Sequence, residues 1–201
     1  MSEAVILDFA APEPEPTPAH RRIRLASRGL AWLFTGLLAL WSLFCAFLTA
    51  AFLVPPVGRF VGIGPSGMLL TALPHLPPPY VPVSGLPLLQ RLAHVPVGLI
   101  NFAPPLAIFW ALRRLFGLYA RGVVFSAENA CCIQWIGAAL AANAVAPFLG
   151  VQFLRALHLV IDRQWLHASS LQELVLGAVV YVIALVMQVG REIEEERGQF
   201  V

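Results

Sequence analysis

Four long apolar runs, each with hardly a charge in it, constrain this chain more than any other feature of its sequence. They lie at about 30–54, 95–115, 127–154 and 171–190. Roughly 20 apolar residues in a helix cover the hydrocarbon core of a bilayer, and each run reaches that length. Charged residues make up 12% of the 201-residue chain, about half of what a soluble domain carries. So few charges cannot furnish a water-facing surface, so lipid is the expected solvent. The expected fold is all-α: a polytopic membrane protein, a four-transmembrane-helix bundle forming one membrane domain over 21–201.

Residues 1–20 are of another kind. Pro12, Pro14, Pro16 and Pro18 alternate with Glu13 and Glu15. Such a segment has little to bury and is expected to be a disordered tail, extended where prolines dominate. It also lacks the early basic region of a secretory signal, so the first run reads as an uncleaved anchor.

The segment 55–96 holds ten of the 17 prolines. Each removes a backbone N–H and clashes one turn upstream, which excludes a continuous helix. Its apolar residues (Val61, Ile63, Met68, Leu69, Leu70) suit a cap on the bundle or a layer at the membrane surface, with a short helix expected around Ser66–Leu73. In the second run Pro104-Pro105 frees carbonyls near Ile100 and Asn101. In lipid these need partners inside the protein, and a kink is expected there.

The third run has the local marks of a helix start. Ser126 is a suitable N-cap, and Glu128 in the first turn suits the helix dipole. Gly137 with Ala141, and Ala138 with Ala142, are small residues four apart that let helices approach closely, placing this helix at the centre of the bundle. Pro147 is expected to bend it. The intramembrane polar residues are Asn101, Gln134 and Asn143, and Asn143 is expected to face a neighbouring helix. The three cysteines, Cys45, Cys131 and Cys132, read as free buried thiols.

Charge gives an orientation. All 13 basic residues are arginine, nine on the side of the N-terminus and four on the other. Basic excess marks the cytoplasmic face. Both termini and the polar turn 116–137 are therefore expected in the cytoplasm, and the Pro-rich loop between helices 1 and 2 outside, in a cell inner (plasma) membrane. A net charge of +2 gives no basis for direct nucleic-acid binding.

The polar residues with functional promise collect at that inner face: Arg121, Gly122, Phe125, Ser126, Glu128 and Asn129 in the turn, with Glu195 and Glu196 in the acidic tail. Two readings of the tail stand, a solvated end or carboxylates that meet Arg113, Arg114 or Arg121. His158, Asp162 and His167 form no tight metal-ligand motif and read as surface pairing. No cofactor site, nucleophile–base pair or phosphate-cradling loop is visible, so no enzyme is expected. The leading expectation is a regulatory or interaction subunit presenting the cytoplasmic patch. The alternative is a small oligomeric channel or transporter, for which a homo-oligomer would be needed.

Two patches also carry a resemblance. Gly122-Val123-Val124-Phe125-Ser126-Ala127-Glu128-Asn129 followed by Ile136-Gly137 resembles the internal motif of the bacterial membrane-protein family catalogued as domain of unknown function 2975 (DUF2975), Gly-x-x-Phe-Ser/Thr-x-x-Asn and a hydrophobic-Gly pair. The end, from Gly190 through Ile193, Glu195 and Glu196 to Phe200-Val201, is similar to that family's closing Gly-x-x-Leu-x-Glu-Glu. Where the family often has Arg before the hydrophobic-Gly pair, this chain has Gln134, so a role needing that charge does not carry over. The resemblance implies four spans and no known activity. Some members are encoded beside small helix-turn-helix regulators, which implies a cytosolic regulatory partner.

Overall fold

The computed structural model describes residues 18–64, 67–71, 76–123, 126–159 and 168–198. In chain order the elements are α1 (Pro18–Leu53), α2 (Pro55–Gly58), β1 (Val61–Gly64), β2 (Gly67–Leu70), β3 (Val81–Pro82), a 3₁₀ turn (Val83–Gly85), α3 (Leu88–Ala120), α4 (Ala127–Ala156) and α5 (Ala168–Gly198). Four of them, α1, α3, α4 and α5, are long and apolar enough to cross a membrane. Their outward faces are apolar too: Leu43 is 68% exposed and Val186 65%. Apolar surface on that scale is expected of helices that face lipid.

The long helices pack in chain order, α1 on α3, α3 on α4 and α4 on α5. Among the described residues α1 and α5 do not pack along each other, so the four helices expected to bundle form an open row. α4 holds an inner place in the row. At one end, Leu115 and Leu118 of α3 bury Cys132 of α4. Further along, Gly150 lies so close to α3 that an added Cβ would sit 2.8 Å from Val97 Cγ1 and 3.1 Å from Asn101 Nδ2. Between α1 and α3 the filling is aromatic, with Trp41 edge-on to both Phe102 and Phe109.

Two helices start earlier than hydropathy alone places them. α1 begins at Pro18, three turns before the apolar run, so residues 18–20 are helical rather than part of the tail, while 1–17 lie outside the described residues. Proline is tolerated in a first turn because its missing N–H has no intrahelical partner there. α3 begins at Leu88 and continues through Pro96, Pro104 and Pro105. Beside the carbonyls freed by the proline pair, the indole N–H of Trp41 donates across from α1 to the Phe102 carbonyl at 3.4 Å. Asn101 spends its amide inside α3, donating to the Val97 carbonyl at 2.8 Å.

The segment between α1 and α3 corrects two expectations, since the fold is not purely helical and Gly67–Leu70 is a strand, not a helix. β1 lies between β2 and β3, antiparallel to both, with Val61 opposite Leu70 and Ile63 opposite Val81. Prolines break the segment into pieces too short for a long helix, and its extended pieces satisfy their backbone groups by pairing. Pro82, which has no N–H to give a ladder, sits in an edge strand. Val61 and Val83 are fully buried against Leu48, Ala51 and Phe52 at the end of α1. Phe52 in turn stacks on His94 of α3, with centroids 5.7 Å apart. This small sheet caps the α1–α3 end of the row.

Candidate functional site

The turn between α3 and α4 is built by two interlocking helix ends. α3 closes with Gly122 at φ +84, where its N–H donates to the Tyr119 carbonyl (3.0 Å) and that of Val123 to Leu118 (3.1 Å). This is the Schellman pairing, which needs a left-handed residue and favours glycine. Arg24 of α1 lies across the turn: a Cβ on Gly122 would fall 2.6 Å from its Nη2. α4 then opens on Ser126, whose Oγ accepts from the Asn129 N–H at 3.2 Å.

Asn129 joins the two ends. It is wholly buried, and its Nδ2 donates to the Val123 carbonyl at 2.9 Å. Its Oδ1 is buried without a hydrogen-bond partner among the described residues. The residue expected on the interaction surface is therefore the peg inside it. Arg121, Gly122 and Glu128 are exposed and Ser126 is half-buried. Arg114 Nη2 lies 3.9 Å from Glu128 Oε2, both side chains more than half exposed, a pairing of small energetic weight. Arg113 and Arg121 make no ion pair among the described residues. Phe125 lies outside the described residues. Glu195 and Glu196 fall within the helical stretch of α5, which packs on α4.

A second polar site appears inside the apolar runs. Asn143 Nδ2 of α4 donates to Glu173 Oε2 of α5 at 2.8 Å. Asn143 does face a neighbouring helix, as expected, but the partner is an ionisable group. In sequence Glu173 marks only the opening of the last run. Depth comes from the packing: Cys132 meets Leu118, and Gly150 meets Val97 and Asn101. Interpolated along these antiparallel helices, Asn143 lies within about one turn of the level of Pro104, the middle of α3. Register across the α4–α5 pair was the missing information.

That register is set by glycines. A Cβ on Gly137 would fall 2.8 Å from both the Gly177 carbonyl oxygen and the Tyr181 nitrogen, and one on Gly177 would fall 2.8 Å from the Gly137 oxygen. These are backbone atoms, which cannot swing aside. Gly137 and Ala141 meet α5 as their spacing foretold, whereas Ala138 and Ala142 are exposed. Gln134 is half-buried on the same helix.

The remaining candidates do not assemble. His158 follows α4 at φ +57, with its N–H on the Arg155 carbonyl (2.9 Å) and that of Leu159 on Leu154 (3.0 Å), the same Schellman pairing with histidine in the glycine place. Asp162 and His167 lie outside the described residues. Among the described residues no three His, Cys, Asp or Glu side chains gather as metal ligands. The cysteines are free, but only Cys132 is buried; Cys131 is exposed.

A family model described as a protein of unknown function, DUF2975, matches residues 11–198. The chain belongs to the DUF2975 family. The match takes in all four long helices, the α3–α4 turn and the Asn143–Glu173 pair. No curated protein and no solved structure matches this DUF2975 chain.

Proposed function

We propose that this DUF2975 chain is a multi-pass plasma-membrane subunit that receives an acidic cytosolic partner on its arginine turn. Both termini and the turn face the cytoplasm in this reading, following the nine-to-four arginine asymmetry. The observation that carries it is the exposed Arg113 and Arg121, which have no carboxylate partner among the described residues, beside a turn held rigid by Asn129. A preorganised cationic surface loses little conformational freedom on binding. The class of partner in this reading is a cytosolic helix-turn-helix regulator, supported by the family resemblance alone. Glu195 and Glu196 of the chain's own tail compete for the same arginines. The reading includes no catalytic step and no cofactor.

The test is a photo-crosslinking residue in place of exposed Ala127, used in intact membranes. One cytosolic protein is expected in the adduct, and Arg113→Glu with Arg121→Glu is expected to abolish it. Failure to capture any cytosolic protein reproducibly would remove the reading. Cleavage at Arg121 by protease added to sealed right-side-out cells would remove the orientation as well.

One observation favours the alternative, a small channel or transporter: the carboxylate of Glu173, which opens its own apolar run yet lies level with the middle of α3. Ionisable groups at that depth are expensive and tend to mark ion or proton pathways. An open row of four helices encloses no path, so this reading requires a homo-oligomer. Flux in proteoliposomes that is lost in Glu173→Gln would promote it over the first.

A further inference from the structure

We propose that the groove between α1 and α3 at their arginine-rich end binds the phosphate of an anionic phospholipid. The sequence places Arg28, Ala31, Trp32 and Thr35 on one face of α1, at spacings of three and four. Trp110, Arg113, Arg114 and Gly117 repeat that pattern on α3. Antiparallel packing of the two helices turns both faces into one open recess of about 470 Å³, with Arg121 at its rim. Water in the liquid occupies about 30 Å³ per molecule, so the recess holds a headgroup rather than a lone ion. Gly117 leaves the floor open, since a Cβ there would meet nothing within 4 Å.

Charge and depth select the occupant. Four guanidinium groups line the recess, and among the described side chains the carboxylate that pairs with one of them is Glu128, 3.9 Å from Arg114 and itself 59% exposed. Guanidinium forks match phosphate oxygens bidentately, and Arg114 is steadied over the Trp110 ring at 5.7 Å. Arg113 lies nine residues from Pro104, about 14 Å along the helix. That is close to half of a ~30 Å hydrocarbon core, which puts the arginines at the phosphate level when α3 is centred in the bilayer. Trp32, 76% exposed, and Trp110, 45% exposed, flank them as interfacial indoles do. A lipid phosphate is already present at that level, whereas a soluble anion has to displace one.

The site shares Arg113 and Arg121 with the surface proposed above for a partner, but its test does not rest on that reading, because the assay contains only the chain and lipid. The full chain is purified in nanodiscs of phosphatidylcholine containing a minor share of phosphatidylglycerol, and retained lipid is counted by native mass spectrometry. One phosphatidylglycerol per chain is expected, unaffected by excess inorganic phosphate. Arg28→Gln with Arg113→Gln is expected to lower its occupancy about tenfold, a loss of about 1.4 kcal/mol. Gly117→Leu, which fills the recess and leaves every charge in place, is expected to do the same. Arg59→Gln, just after α2 and beyond the opposite end of α1, is expected to leave it unchanged. Equal retention of the two lipids, or retention that survives both the double arginine variant and Gly117→Leu, would overturn the site. Displacement by inorganic phosphate would overturn the lipid as its occupant.

Discussion

The side-chain amide of Asn143 on α4 donates to the carboxylate of Glu173 on α5 at 2.8 Å, about level with Pro104 in the middle of α3. The two residues are thirty apart in sequence. Hydrogen bonds to a charged group are the stronger kind, yet polar pairs between membrane helices contribute modestly because the unfolded chain also finds partners. Glu173→Ala is expected to destabilise the protein by about 1–2 kcal/mol in detergent unfolding. Glu173→Gln, which keeps an acceptor, is expected to cost less. A double-mutant cycle with Asn143→Leu is expected to give a coupling of about 0.5–2 kcal/mol. Additive effects would mean that the pair does not act as one.

Gly137 and Gly177 set the distance between α4 and α5. Since a methyl on either would meet backbone atoms at 2.8 Å, the helices have to part to admit it. Gly177→Leu is expected to destabilise the α4–α5 pair by about 1–3 kcal/mol, the usual range for overpacking. It is also expected to weaken the Asn143–Glu173 coupling. Gly190→Leu, on the same helix with open space around it, serves as the matched control.

The α3–α4 turn depends on Asn129 more than on its exposed residues. Asn129→Ala removes a wholly buried side chain and leaves the Val123 carbonyl without its donor, and a loss of about 1–3 kcal/mol is expected. Ser126→Ala removes the N-cap and is expected to cost about 1 kcal/mol. Glu128→Gln, at an exposed long-range pair, is expected to change stability by less than about 0.5 kcal/mol. Thermal unfolding of the three variants side by side checks the order.

His158 occupies a left-handed position that a glycine would adopt without strain. His158→Gly is expected to keep the α4 end intact and to stabilise it by up to about 1 kcal/mol, whereas a bulkier β-branched residue destabilises it. A metal-binding role for His158 predicts instead that the glycine variant loses bound zinc, measurable by elemental analysis.

Much of the fold is readable along the chain, and the reasons are local. The four long helices follow from uninterrupted apolar length, and the start of α4 follows from Ser126, whose cap bond reaches only three residues. Helix starts drifted because arginine and a first-turn proline are compatible with helix although hydropathy discounts them. The strand at Gly67–Leu70 was not readable, since it exists by pairing with residues up to nine positions away. The candidate site divided in the same way. Arg121 and Glu128 are exposed as their charges require, whereas Asn129, equally polar, is buried because its partner is a turn carbonyl.

By itself the sequence determined that this protein has four helices able to cross a membrane, where the α3–α4 turn falls and which end of the row is rich in arginine. Hydropathy, caps and charge act within a turn or two of the chain, so no fold is needed to read them. Only the tertiary structure decided that Glu173 meets Asn143 level with the middle of α3, that Gly137 lies against Gly177, and that Arg28 and Arg113 share one groove. Those relationships depend on the register between antiparallel helices, which is set by the closest approach of their backbones and is written at no single place in the chain.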